Sequence, residues 1–418
     1  MFLQNIFKTF VSKVLILLIN FAVLTLTTNY FGLEGRGLIS ITMADLAIIV
    51  IFNNILGGNS VVYFMNKVGL SRLVLPAAIW ITLSSAIISF VFVLLHTQQS
   101  YFILFPLTLI TSFLTLNLLI FIGKEKIQHF NIFSLLPPFL LLVFSLGFIY
   151  LFKNRTVNAY LFSYFLSQAV VFVISLIIIR SYLIKKEIGI STDIVKKSFG
   201  YGWKNELSYF IQFLNYRLSY FFILYYQDIN SVGLFSVAIV VSESIWLMAK
   251  SITTVQYSRI INLDDKSSAI ELTKKSAKIS FYTTLSMLIV LAIIPSWVFG
   301  FVFGKDFSTI KQLLFFLMPG ILSIAVSNVY GHYFAALNQM RVLIVKSTIG
   351  LIFTVLLSLI LIPLWSLTGA CIVTSVSYLS SSIYLLIAFY KTNKNQTYIE
   401  MAELPESEFL NYPESLTK

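Results

Sequence analysis

The chain reads Tyr30-Phe31-Gly32-Leu33-Glu34-Gly35-Arg36-Gly37-Leu38-Ile39-Ser40 where two apolar runs, 8–31 and 38–64, meet. Each run is longer than the roughly 20 residues that a helix needs to cross the hydrocarbon core of a bilayer. The glycines between them favour a turn, because glycine adopts backbone angles that other residues avoid. The sequence therefore predicts two membrane-spanning helices joined by a short connection.

The composition of the whole chain agrees with a membrane protein. Of the 418 residues, 58% are apolar and 11% are charged, whereas about a quarter are charged in soluble domains. This excludes a soluble enzyme, a disordered scaffold and a secreted disulfide-rich domain, since no soluble domain of this size buries so much apolar surface. With one cysteine, Cys371, and three distant histidines, we expect no disulfide, no metal site and no bound cofactor.

Hydropathy predicts an all-α integral membrane protein with about twelve transmembrane helices in two six-helix bundles. The candidate spans are 8–31, 38–64, 73–95, 101–122, 131–152, 158–180, 203–226, 230–252, 277–303, 309–337, 340–363 and 365–390. The predicted division is an N-terminal bundle (1–180), a cytoplasmic linker (181–202), a C-terminal bundle (203–390) and a disordered cytoplasmic tail (391–418). A second long cytoplasmic loop is expected at 253–276.

The basic residues predict the orientation. Most Lys and Arg residues fall on the side of both termini, which the positive-inside rule assigns to the cytoplasm. The net charge of +12 then indicates contact with anionic membrane lipid rather than nucleic acid. In the linker, lysines alternate with isoleucines, which is typical of a basic amphipathic stretch on the membrane surface.

The two halves carry a weak internal repeat. The segment 30–40 resembles the segment 226–236, and each closes a short connection between the first two spans of its half. With six spans per half, such a repeat would be parallel, with its axis along the membrane normal.

The chain lacks the motifs of membrane enzymes. It contains no G-x-x-x-x-G-K-[ST] nucleotide loop. It has no outer loop of the length that membrane-embedded polymerases and glycosyltransferases use. The pattern therefore favours a transport pathway over a reaction centre.

Ionisable residues inside spans are costly, so each is a candidate for function. The predicted spans contain four such candidates: Asp45, Arg217, Glu243 and Lys250. Arg217 and Glu243 lie at depths that their side chains can bridge, so they either form a structural pair or Arg217 faces a cavity and binds an anion. Asp45 is either a helix-packing acid or a site for a coupling proton or sodium ion.

Helical phase separates two faces of the seventh span. A polar stripe contains Asn205, Ser208, Gln212, Asn215 and Ser219. Arg217 points nearly opposite this stripe at 100° per residue, so only one of the two faces a narrow cavity and the other packs against a neighbour.

Several motifs resemble the Wzx-type polysaccharide flippases of the multidrug/oligosaccharidyl-lipid/polysaccharide exporter superfamily. They are Thr28–Gly37, Gly57–Tyr63, Asn215–Tyr220, Val232–Ala238, Ser242–Trp246 and Pro363–Ala370. Ser219 stands where the family often has an aspartate, and the run Thr254–Arg259 lacks the proline often found after span eight.

The resemblance implies two six-helix bundles of MATE-like architecture around a central cationic cavity. It implies a transporter of the bacterial inner membrane that moves undecaprenyl-pyrophosphate-linked oligosaccharide, an O-antigen or capsule repeat unit, to the outer leaflet by alternating access. A polysaccharide polymerase and chain-length proteins are the partners expected with it. The alternative is a multidrug or cation exporter of the same superfamily, driven by protons or sodium.

The site hypothesis assigns a role to each candidate. Phosphate would meet Arg217 and Lys250, with Lys13 and Arg36 as cations where substrate arrives and leaves. Sugar would contact the amides Asn20, Gln212 and Asn215. Asp45 and Glu243 remain either ion-coupling residues or members of structural pairs.

Overall fold

The computed structural model describes residues 2–95, 99–153, 156–184, 187–261, 263, 265–337 and 339–403, without the side chains of 2–10, 246–251, 254, 258, 261, 266 and 394–403. Twelve α-helices and no strand occur in these ranges. They are α1 (Phe2–Gly57), α2 (Asn59–Val68), α3 (Ser71–Leu94), α4 (Tyr101–Gly123), α5 (Ile127–Tyr150), α6 (Val157–Ile179), α7 (Thr192–Tyr226), α8 (Ile229–Ile261), α9 (Lys266–Ile293), α10 (Ser296–Phe303), α11 (Ile310–Ala336) and α12 (Met340–Glu403).

Two of these helices are double-length and contain a sharp break. In α1 the break is Gly32, with φ 64° and ψ −162°, and in α12 it is Ser366, with φ 53° and ψ −133°. We call the segments 2–31 and 33–57 α1a and α1b, and the segments 340–365 and 367–403 α12a and α12b. With α2 and α10 too short to span, the described helices supply twelve spans, which confirms the prediction.

Eight helices of the described chain are long and apolar enough to cross a membrane. Both double-length helices are among them. Among the described side chains, α8 contributes a shorter apolar stretch, Ile229–Ile245.

Several predicted boundaries differ from the structure. The predicted span 38–64 ends at Gly57, and α2 follows as a separate short helix. The loop 253–276 is mostly helix, because α8 continues to Ile261 and α9 begins at Lys266, where Asp265 caps the first turn. The predicted span 277–303 ends instead at Ile293, since Pro295 stops the helix and starts the separate α10. In the linker 181–202, α7 already begins at Thr192.

The chain end differs in part as well. The sequence predicts a disordered tail from residue 391, yet α12 continues as helix to Glu403. Residues 404–418 lie outside the described ranges.

We name the two sides of the molecule by their charge. The basic side carries the start of α1a, the linker before α7 and the α8–α9 connection. The opposite side carries the breaks at Gly32 and Ser366 and the short helix α10. Each bundle has one apolar cluster toward each side, and the large opposite-side cluster of the C-terminal bundle also takes in Leu24 and Ile41 of α1.

The bundles meet on the opposite side through a reciprocal backbone contact, here called the glycine crossing. A Cβ on Gly37 would lie 2.0 Å from the carbonyl oxygen of Ile229, and a Cβ on Gly233 would lie 2.1 Å from that of Leu33. These are equivalent positions of the segments 30–40 and 226–236. The sequence repeat therefore corresponds to a structural one, with the starts of α1b and α8 crossing where only glycine fits.

The bundles meet on the basic side through α7, in what we call the α7 junction. A Cβ on Gly202 would lie 1.8 Å from the carbonyl oxygen of Ile55 in α1b. Beside this contact, the Tyr201 ring stacks on Tyr63 of α2, with centroids 4.5 Å apart. With the glycine crossing also closed, the bundles are in contact on both sides of the membrane.

Candidate functional site

The centre of the molecule contains an ion pair between α7 and α8. Arg217 donates from Nη1 to Oε1 of Glu243 at 2.7 Å and from Nη2 to Oε2 at 2.9 Å. The side chains are 24% and 22% exposed. This two-point geometry is the strongest form of an arginine–carboxylate contact. Of the two alternatives for Arg217, the structure shows the pair, so its charge is neutralised in this conformation.

Arg36 is a second buried guanidinium in the same region. The sequence places it in an outer loop, but only Gly32 breaks the helix, and Arg36 lies inside the first turn of α1b. Its Nε is buried without a hydrogen-bond partner among the described residues, and Nη1 makes only a long 3.5 Å contact with Thr27 Oγ1. Arg36 lies within electrostatic range of Arg217. Two cations and one carboxylate therefore leave a net positive charge.

Tyrosines surround this group. The guanidinium of Arg217 lies 5.5 Å from the ring centroid of Tyr220, and Tyr378 of α12b packs edge-on against Tyr216. Tyr160 of α6 lies within electrostatic range of Arg36. The rings shield the cations from lipid, while their hydroxyl groups can donate or accept hydrogen bonds.

The polar stripe of α7 faces its own bundle. Asn215 is buried, and its Oδ1 accepts from Ser377 Oγ at 2.7 Å and from Thr354 Oγ1 at 3.2 Å. Gly350 provides the space for the amide, because a Cβ there would lie 2.5 Å from Asn215 Nδ2. Asn215, which the sequence assigns to sugar binding, therefore links α7 to α12 in this conformation. Gln212 points to Tyr216, with its Nε2 at 3.5 Å from the hydroxyl.

The remaining candidates do not join the central group. Lys13 and Asn20 are exposed on the basic-side half of α1a. Asp45 of α1b is 2% exposed and forms no ion pair with any described residue. The side chain of Lys250 lies outside the described residues. No group of three metal-ligating side chains occurs in the part of the chain that the structure describes.

The sequence analysis does not identify one buried acidic residue. Glu206 of α7 is 4% exposed, although hydropathy places it at the start of a span beside a basic linker. Its spacing of four from Gly202 and eight from Ser198, both buried, is the available signal for a packed face.

Comparisons with known proteins agree with this architecture. Residues 244–404 match the family model described as Polysaccharide biosynthesis protein. Among solved structures, the lipid II flippase MurJ in an inward closed conformation is similar with a TM-score of 0.77 and 14% identity, covering 97% of this chain and 94% of that one. An inward-facing multidrug resistance MATE family transporter has a TM-score of 0.69 and 15% identity, with 93% and 96% covered.

A further similar structure is a point mutant of the Vibrio cholerae MATE transporter VcmN, at a TM-score of 0.60 and 11% identity over 94% of this chain and 98% of that chain. No curated protein matches the chain in sequence. The chain therefore has the fold of these flippases and multidrug transporters.

The shared fold agrees with the resemblance that the sequence motifs indicate, and the long apolar helices make the chain a multi-pass membrane protein. The central group of Arg36, Arg217 and Glu243 lies on α1b, α7 and α8, where the two bundles face each other. These helices also form the glycine crossing and the α7 junction, so any movement that separates the bundles also changes the surroundings of Arg36, Arg217 and Glu243.

Proposed function

We propose that this protein is a flippase for a lipid-linked oligosaccharide with a pyrophosphate group, such as an undecaprenyl-pyrophosphate-linked O-antigen or capsule repeat unit. The observation that carries the proposal is the uncompensated guanidinium of Arg36 beside the Arg217–Glu243 pair. A net positive charge between two bundles is costly inside a membrane, so it marks a site that an anionic substrate can bind.

The chemistry of the central group suits that anion. A guanidinium offers paired donors that match two phosphate oxygens at once. Arg36 has a free buried Nε among the described residues, whereas Arg217 is occupied by Glu243 in the closed state. Within the central group, we infer that Arg36 binds the pyrophosphate before Arg217, which becomes available only if Glu243 is displaced. The hydroxyl groups of the surrounding tyrosines are suitable partners for sugar hydroxyls.

The exposed half of α1a suits the lipid part of such a substrate. Val14, Leu15 and Leu18 present an apolar surface on the basic side, with Lys13 and Asn20 close by in the chain. A polyprenyl tail can remain in the bilayer along this surface while the polar head moves between the bundles. Lys13 then acts as the cation that substrate meets on arrival.

The proposal includes location and direction. The basic side faces the cytoplasm of a bacterium, both termini are cytoplasmic, and the oligosaccharide moves across the inner membrane to the outer leaflet. The product would pass to a polysaccharide polymerase and its chain-length proteins. A proton or sodium gradient drives the cycle.

The test is deletion of the gene in its host, with surface polysaccharide and lipid-linked oligosaccharide measured together. We expect polysaccharide to be lost and complete lipid-linked units to accumulate. On complementation, Arg36→Gln should reduce polysaccharide at least about tenfold, the effect of one lost charge-assisted contact, at unchanged protein level. The control Arg180→Gln alters an exposed arginine and should restore it fully. A normal amount of surface polysaccharide in the deletion strain would refute the flippase proposal.

One observation favours a second candidate, an ion-coupled exporter of cationic drugs. Asp45 is a buried carboxyl without an ion-pair partner among the described residues, and such a group can attract a cation. This function predicts normal polysaccharide and raised drug sensitivity in the deletion strain, with Asp45→Asn reproducing the sensitivity.

A further inference from the structure

The α7 junction contains one continuous buried face of α7. Ser198, Gly202 and Glu206 recur every four residues, and all three are buried between neighbours that are exposed or half-buried. Gly202 contacts the backbone of Ile55. One turn beyond Glu206, the ring of Phe210 lies 5.4 Å from that of Phe52. The carboxyl of Glu206 is therefore held between two contacts of α7 with α1b, in the surface where the bundles meet.

Among the described residues, no cation neutralises this carboxyl. It accepts a hydrogen bond from Nδ2 of Asn205, which donates to Oε1 at 3.1 Å. The three ion pairs of the described residues all lie elsewhere. Basic groups of the elements packed against α7 are otherwise placed: Lys67 of α2 lies over the Tyr63 ring at 3.7 Å, and Arg72 of α3 faces Glu187. The buried Lys346 of α12a forms none of these ion pairs, and the side chain of Lys250 of α8 lies outside the described residues.

The titratable neighbour of Glu206 is a tyrosine of its own helix. Tyr209 lies within electrostatic range of Glu206, and its side chain is hydrogen-bonded to Asn59 at the start of α2. Tyr201 lies within range of Tyr209 but stacks on Tyr63. No group on α1b, α2 or α3 in the described ranges therefore offers a positive charge to the acid.

We propose that Glu206 is a proton-binding site of the α7 junction, holding a proton while the junction is closed and releasing it to the basic side when the junction opens. Burial without a counter-ion disfavours the carboxylate. A protonated carboxyl needs no counter-ion, and it can keep the hydrogen bond from Asn205. Separation of α7 from α1b admits water, which stabilises the ionised form.

The sign of the pH effect follows from proton linkage. The closed junction binds one more proton than the open junction, so acid favours closure and alkali favours opening. For a single proton, the ratio of closed to open molecules changes by at most about tenfold per pH unit. The inference concerns the junction itself and does not depend on which substrate the protein carries.

The experiment measures the junction directly in the full-length protein. Spin labels are placed at Gln128→Cys, at the exposed start of α5, and at Lys274→Cys, on an exposed face of α9. The buried native cysteine is removed by Cys371→Ala. Distances between the labels are recorded in lipid nanodiscs from about pH 5.5 to about pH 8.5, a range that brackets neutrality on both sides. We expect the short-distance population to decrease as pH rises.

Glu206→Gln mimics the protonated acid, so it should keep the short distance at every pH. The matched control Glu271→Gln, an exposed acid on the same side, should retain the wild-type profile. A pH-independent wild type, or an unchanged profile in Glu206→Gln, would overturn the proposal. If Glu206→Gln does not fold, Glu206→Asp serves instead: its profile should shift along the pH axis, and an unshifted profile counts against the site.

These readouts also separate this inference from the proposed function. The label distances require no oligosaccharide, so a pH-insensitive junction would refute the proton site alone. Normal polysaccharide after gene deletion would refute the flippase alone.

Discussion

The first helices of the two halves, α1a and α7, are alike on one side of the membrane and different on the other. On the opposite side, each leads into the glycine crossing at equivalent positions. On the basic side, α7 is packed against α1b, α2 and α3, whereas α1a exposes Val14, Leu15 and Leu18. The repeat is therefore symmetric at one junction and broken at the other.

This difference assigns separate tasks to the two junctions. The glycine crossing is a backbone contact, so its closure does not depend on a titratable side chain. The α7 junction contains aromatic rings, a buried acid and the unsatisfied hydroxyl of Ser198, all of which change their solvation when it opens. An opening on the basic side therefore needs α7 to move, while this part of α1a is already exposed.

The largest expected effect comes from substitutions in the glycine crossing. Gly37→Leu and Gly233→Leu each place a side chain where even a Cβ would lie 2.0 Å or 2.1 Å from a carbonyl oxygen, so the bundles must separate on that side. We expect both to abolish the closed state and transport. Spin labels at Leu95→Cys and Trp297→Cys, exposed on the opposite side, should report the same widening for both variants.

Gly147→Leu is the control, since nothing lies within 4 Å of a Cβ at that position. It should leave the distance between the labels at Leu95 and Trp297 unchanged. If Gly37→Leu and Gly233→Leu behaved differently, the equivalence of the two halves at this contact would fail.

The next largest effect is expected from a substitution at Gly202, with Gly200 of the same helix as its control. Gly202→Ala places a Cβ 1.8 Å from the Ile55 carbonyl oxygen, whereas nothing lies within 4 Å of a Cβ at Gly200. Overpacking of this kind costs about 1–3 kcal/mol. We expect Gly202→Ala to widen the distance between labels at Gln128 and Lys274 and Gly200→Ala to leave it unchanged. Equal behaviour of the two variants would show that α7 is not held at this point.

A loss of stability of similar size is expected from breaking the ion pair, which joins two helices of the C-terminal half. Arg217→Met leaves Glu243 unpaired in a partly buried site and should lower the free energy of unfolding by about 2–3 kcal/mol, less than for a fully buried pair because both side chains are partly exposed. The double variant Arg217→Met with Glu243→Leu should recover part of this loss. Thermal unfolding in one detergent measures both, and a double variant less stable than the single one would contradict the pairing.

The smallest effect should come from the rings of the α7 junction. Tyr201→Ala removes the stack on Tyr63 and should lower stability by about 0.5–1.5 kcal/mol beyond the loss of buried area. Tyr201→Phe keeps the ring and should stay near wild type in thermal unfolding. A large loss in Tyr201→Phe would mean that the hydroxyl, and not the stack, holds the junction.

Much of this arrangement follows from the sequence. Long apolar runs predict the spans, because the bilayer sets their length. The opposite phases of Asn215 and Arg217 on α7 correctly require that one of them pack against a neighbour. Phase alone does not say which, since a polar stripe buried against serine and threonine looks the same as one lining water.

Two features of the structure are not predicted from the sequence: the helical position of Arg36 and the burial of Glu206. Glycines flank Arg36 on both sides, which predicts a loop, yet only Gly32 among them breaks the helix. The burial of Glu206 is not predicted because hydropathy is averaged over a window of residues. The lysines of the linker lower that average, so the narrow buried face beside them gives no signal. Both depend on contacts between the bundles, which are distant in the chain.

The glycine crossing also limits what sequence statistics can detect. Gly37 and Gly233 each face the other segment's carbonyl oxygen, and a carbonyl is present whatever residue carries it. No side-chain change at Leu33 or Ile229 can make room for a larger residue at either glycine. Paired substitutions are therefore excluded, and methods that find contacts by correlated change would give no signal for one of the tightest contacts in the molecule.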